Sequence, residues 1–206
     1  APGASTTGAY SVALTDADGS VVRWNPCQPI RYVVNLQSAP SFVRAELSAA
    51  VAAIESASGL DLVDAGTTTE RPVKRPLSDP TRYGPGFSPV LISFATSAEL
   101  PFGSSTASGW GQAVPATDPV TGKRQYVTGQ VVLRPDAGWT QGLTSANPLS
   151  LMLRHELGHV LGLAHVSATN EIMGTGGNGS ARTWGPGDLR GLQVVGRAAG
   201  CLSTLG

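Results

Sequence analysis

Residues 155–165 read His-Glu-Leu-Gly-His-Val-Leu-Gly-Leu-Ala-His and hold all three histidines of the 206-residue chain. Four residues advance an α-helix by about 6 Å and slightly more than one turn, so His155 and His159 project from one face and can share a metal ion. Glu156 points around the helix from them. A carboxylate there reaches a metal-bound water without being a ligand, which suits a general base. Gly162 follows Val160-Leu161, and a residue without a Cβ can take the left-handed conformation that ends a helix and turns the chain sharply. The turn lets His165 return to the same ion. Three imidazoles fill three corners of a tetrahedron and leave the fourth to water, the open arrangement of a catalytic zinc.

The pattern H-E-x-x-H-x-x-G-x-x-H, with Met173 after it in Glu171-Ile-Met-Gly174, resembles the signature of the metzincin zinc endopeptidases. Among these the chain is most similar to the matrixins, the family of the matrix metalloproteinases. Val90–Ala95 is similar to their third strand, Gly109–Pro115 to their substrate-binding edge strand, and Trp184–Gln193 to the start of their C-terminal helix. The resemblance runs from about Ile30 to Gly200. It implies an α/β (α+β) fold: a mixed five-stranded twisted sheet, an active-site helix and a C-terminal helix, in two lobes around a cleft. It further implies one zinc held by His155, His159 and His165, Glu156 as general base, and Met173 in a tight turn beneath the metal. An extended protein or peptide substrate would lie along Trp110, Gly111, Gln112 and Ala113. Leu151, four positions before His155, would line the main specificity pocket and favour an apolar residue after the cut bond.

Several departures accompany the resemblance. Val166 follows the third histidine where matrixins usually carry serine. No histidine remains for their structural zinc, so a single zinc is expected. Their acidic calcium-binding stretch is reduced to Arg134-Pro-Asp136, which leaves calcium open. The Pro-x-Tyr wall of their specificity pocket is replaced by Gly174–Gly179, so substrate preference does not carry over. No tyrosine lies two residues after Met173, which argues against the astacin and serralysin branches.

Composition sets wider limits. With 41% hydrophobic residues over 206 positions, one compact domain is expected, residues 1–206. Within it, residues 1–26 would form an extension with a hairpin, 27–165 the upper lobe and 166–206 the lower lobe. Fourteen basic and fourteen acidic residues cancel, and the only basic block is Arg71–Arg75, read as a solvated loop. Nucleic-acid binding is not indicated. No apolar run reaches the roughly 18 residues of a membrane span, and Ala-Pro-Gly-Ala-Ser-Thr-Thr reads as a processed mature end. A monomer is expected.

The chain has two cysteines, Cys27 and Cys201. A disulfide joining them would tie the two ends together and imply an oxidising, extracellular setting. Cys27 as an inhibitory thiolate on the metal, or two free thiols, are the alternatives. For function, the alternatives are a zinc hydrolase acting on a non-peptide amide such as one in a cell wall, and a binding module that has lost catalysis.

Strand patterns cover Ile30–Leu36, Leu60–Val63, Val90–Ala95, Trp110–Val114 and Tyr126–Leu133. Val43, Leu47, Val51 and Ile54 recur at helical spacing, predicting a helix over about Ser41–Ser58. Tyr10–Leu14 and Val21–Trp24 flank a turn at Asp16–Gly19 and read as a hairpin. Gly66–Pro89 reads as a long surface loop. Asn147-Pro148 suits the cap and first residue of the histidine helix, and Asp188 is read as stabilising the start of its own helix.

Overall fold

A computed structural model describes residues 8–72, 74–96, 99, 107–140, 148–175 and 181–205. The expected cap at Asn147 and residues 176–179 of the glycine-rich segment lie outside them. In chain order the elements are β1 (Ser11–Val12), β2 (Ile30–Val34), α1 (Val43–Ser58), β3 (Leu62–Thr67), α2 (Pro80–Tyr83), β4 (Val90–Phe94), β5 (Gly109–Thr117), β6 (Arg124–Leu133), α3 (Pro148–Leu161), β7 (Leu163–Ala164) and α4 (Pro186–Val195).

Five strands form one mixed sheet in the order β3-β2-β4-β6-β5. The first four are parallel, and β5 is antiparallel to β6 at one edge. Every residue of β4, Val-Leu-Ile-Ser-Phe, is buried, as a central parallel strand covered on both faces requires. The sheet and helices agree with the expected mixed α/β architecture.

α1 carries the predicted stripe, with Val43, Leu47, Ala50, Val51 and Ile54 buried, and it ends where Gly59 adopts φ 67° and donates to the Glu55 carbonyl. Its apolar face packs on α3 and α4. α3 begins with Pro148, whose fixed φ and missing N–H cost nothing at a first helical position. Leu149, Leu153, Leu157, Val160 and Leu161 bury one face of α3 in the same core as Ile92, Phe94, Val131 and Leu133 of the sheet. Each such leucine contributes about 2 kcal/mol by leaving water.

Three local expectations are corrected. Tyr10–Leu14 does not form a regular hairpin with Val21–Trp24. The turn at Asp16–Gly19 does form, closed by a Thr15–Val21 bridge, but β1 pairs antiparallel with β7 instead. The loop before β4 contains α2, capped by the Asp79 side chain. Arg75 is not solvated: it is buried, paired with Glu70, and its guanidinium lies 5.9 Å from the Tyr83 ring centre. A polar stretch folds inward there because the cation finds a carboxylate and an aromatic face together.

Cys27 and Cys201 are joined in a disulfide. Around it the ends are knitted further: Asn25 exchanges two hydrogen bonds with the Leu202 backbone, and Arg23 donates to the Ala199 carbonyl. Joining residues 174 positions apart removes about 5 kcal/mol of unfolded-chain entropy. Reduction should therefore lower the melting temperature by about 10 °C or more, read by calorimetry with and without reductant.

Candidate metal centre

α3 has two working faces. While its leucines fill the core, His155, Glu156 and His159 line a cleft of about 930 Å³ between β5 and the chain after α3. The helix stops at Gly162, whose φ of 107° turns the chain as the sequence predicted, and Gly162 N–H donates to the His159 carbonyl. The turn brings His165 back to the same point. Its Nε2 lies 3.0 Å from His155 Nε2 and 3.1 Å from His159 Nε2.

The ring orientations are fixed from behind. His155 Nδ1 lies 2.6 Å from the Ile172 carbonyl oxygen, and His159 Nδ1 lies 2.8 Å from that of Leu163. A carbonyl only accepts, so each Nδ1 carries the proton and each Nε2 presents a lone pair. Three tetrahedral nitrogen ligands about 2.0–2.1 Å from a zinc ion stand about 3.3 Å apart, near the separations seen. Burial lowers the proton affinity of His155, and that of His159 to about 4, which keeps both rings in the neutral, ligating form. The residues present thus fit a zinc ion. Among the described residues, this is the one group of His, Cys, Asp or Glu side chains that converges closely enough to hold a metal.

Glu156 is buried, and burial pushes its carboxyl up to about 8. Its side chain lies against β5 where that strand has no Cβ: a methyl added at Gly109 would come within 2.7 Å of Glu156 Oε1, and one at Gly111 would overlap the Glu156 carbonyl. Gly109, Gly111 and Ala113 recur every second residue, so the face of β5 toward α3 is nearly bare. The alternation is visible in the sequence, but the room it makes for Glu156 depends on which face of β5 meets α3.

The structure brings some of the expected substrate residues to the cleft and not others. Trp110, Gly111 and Leu151 line it together with Met152, Ile172 and Arg182. Gln112 is exposed and Ala113 is part of the core, and neither lines the cleft, which meets β5 only along Gly109, Trp110 and Gly111. Met173 lies buried beneath α3, its sulfur where a Cβ at Gly158 would be, within 2.6 Å.

Two buried carboxylates hold the Met173 turn. Asp188 accepts from the backbone N–H groups of Ile172 (2.5 Å), Met173 (3.1 Å) and Gly185 (3.0 Å). Glu171 accepts from those of Gly187 and Asp188 at the start of α4. Asp188 thus stabilises the start of its helix, as expected, and also fastens that helix to the turn. Glu171 had no sequence signal beyond its place beside Met173.

The model of the Matrixin peptidase family matches residues 91–181. Over that span the chain is matrixin-like. The match begins in β4, takes in β5, β6, α3, the three histidines and Met173, and ends ahead of α4. It supports a metallopeptidase. No curated protein matches the chain.

Hydrogen bonds to a buried charge contribute about 1.5–3 kcal/mol each, and Asp188 makes three. Asp188→Ala should lower the unfolding free energy by about 3 kcal/mol or more in urea titrations. Asp79→Ala, which removes the cap of the short surface helix α2, should cost only about 1 kcal/mol.

Proposed function

We propose that the protein is a secreted zinc endopeptidase that cuts protein or peptide chains with Glu156 as general base. The observation that carries this reading is the meeting of three Nε2 atoms beside a buried carboxyl in an open cleft. His155, His159 and His165 would hold one zinc ion through those atoms. Bound there, the ion supplies Lewis acidity to water and to a substrate carbonyl.

The remaining steps belong to the chain. β5, the last strand in the sheet order, pairs with an extended substrate, whose backbone gains hydrogen bonds from that strand. A non-peptide amide could not use such an edge, which favours a peptide. Glu156 takes a proton from the attacking water as the C–O bond forms, then passes it to the leaving amine as the C–N bond breaks. A carboxyl whose proton affinity is raised by burial is a stronger base than one in water, and the zinc ion, when bound, would favour its ionised form. Leu151 and Met152 give the pocket apolar walls, so the residue after the cut bond is apolar. The disulfide suits an extracellular setting, and among the described residues no helix is long and apolar enough to cross a membrane.

A digest of a denatured proteome, with mass spectrometry of the new chain ends, tests this reading. Cleavage before apolar residues is expected, abolished by phenanthroline and restored by about one zinc per chain. Glu156→Gln should keep the zinc and lose about 10²–10⁴-fold in turnover. Absence of cleavage by the zinc-loaded protein, or near-normal turnover in zinc-loaded Glu156→Gln, would overturn it.

A further inference from the structure

His165 is held differently from the other two histidines. His155 and His159 sit on a helix and each anchors Nδ1 on a backbone carbonyl. Among the described residues, the His165 ring has no such anchor: its hydrogen-bond-distance neighbours are the two other Nε2 atoms, and the side chain is exposed. Its position therefore depends on the main chain of the arm that carries it, residues 162–166.

That arm is fixed on its inner side to the Met173 turn, through Val166 N–H to the Met173 carbonyl and Thr175 N–H to the Val166 carbonyl, both 2.9 Å. On its outer side lies the segment 8–15. Ser11 pairs with Ala164 and Val12 with Leu163, and Ala13 N–H donates to the Gly162 carbonyl at 2.8 Å, at the turn itself. Leu163 is also the residue whose carbonyl meets His159 Nδ1. One short pairing thus braces the backbone behind two of the three rings.

The segment is fastened at both ends by contacts independent of the histidines. At one end Gly8 and Ala9 lie so close to Gly187 that no Cβ fits at Gly8 or Gly187, and Tyr10 packs on Gly191 with the Arg190 guanidinium 5.6 Å from its ring centre. At the other end Arg124 donates to the Thr15 carbonyl and to Asp16 Oδ1, both at 2.7 Å.

We infer that residues 8–15 are a positioning strap that holds His165 at the metal centre, an inference that rests on the zinc reading above. Loss of the groups that orient metal ligands costs about 10–100-fold in affinity, and that is the effect expected here.

The test uses two full-chain variants: Ala13→Pro, which removes the donor to the Gly162 carbonyl, and Gly8→Ala, whose added methyl would push the segment off the Gly187 backbone. Three quantities are measured: zinc affinity by competition with a chromophoric chelator, the visible spectrum of the cobalt-substituted protein, and the melting temperature of the metal-free protein. Both variants should bind zinc about 10–100-fold more weakly and show an altered cobalt spectrum, with metal-free melting close to that of the unaltered chain. Unchanged affinity and spectrum in both variants would overturn the strap alone, and so would an affinity loss matched by collapse of metal-free stability. Failure of the unaltered chain to bind zinc would remove the strap and the zinc reading together.

Discussion

Fourteen residues of α3 must bury one face in the core while the other carries chemistry into open water, and most of the structure serves that division. Leu149, Leu153, Leu157 and Leu161 commit one side of the helix to the interior. The other side can approach its neighbours only where they lack side chains. Gly109 and Gly111 clear space on β5 for Glu156, Gly158 admits the Met173 sulfur, and Gly162 lies against the Tyr126 ring while reversing the chain. A methyl at Gly111 would meet the backbone of Glu156 and shift the helix relative to β5, and the histidines with it, whereas at Gly109 and Gly158 it would displace the side chains of Glu156 and Met173.

Backbone polar groups then set what the helix alone cannot. Trp24 Nε1 donates to the Val160 carbonyl, one of the helix-end acceptors that has no partner within α3. The carbonyls of Ile172 and Leu163 choose the tautomers of His155 and His159. Ile172 is in turn held by Asp188, so the orientation of His155 traces back to a carboxylate on α4. Burial raises the proton affinity of Asp188, yet three N–H donors surround it, which is why removing the side chain harms both the turn and the helix start.

What the sequence made legible was local. Histidine spacing, the apolar stripes of α1 and α3 and the stopping glycines at 59 and 162 follow from helical geometry within a few residues, and each stands where it was expected. The choice of distant partners was not legible. β1 is two residues long, and its partners, Ala164 for Ser11 and Leu163 for Val12, lie in the last quarter of the chain, a contact that no local pattern encodes. Arg75 looked like solvated charge because a pattern of Pro, Lys and Arg says nothing about Glu70 and Tyr83 folding over it. The alternation in β5 is visible, but how far along the strand the cleft reaches depends on where α3 crosses it, and only Gly109, Trp110 and Gly111 of β5 line it.

On the zinc reading proposed above, the same geometry bears on how a cation would compete with protons for the site. His155 and His159 both spend their single proton on a backbone carbonyl, leaving two lone pairs within about 3 Å of the third ring nitrogen. One proton on His165 Nε2 can satisfy one of them and not both, and burial makes a second protonation of His155 or His159 unfavourable. Converging lone pairs that cannot all be protonated repel one another. A divalent ion held there would relieve that repulsion at all three nitrogens at once, and its binding would stabilise the folded arrangement over the unfolded chain. The carbonyls that orient the rings therefore act twice: they aim the ligands, and they remove the proton-sharing arrangements that would compete with the metal.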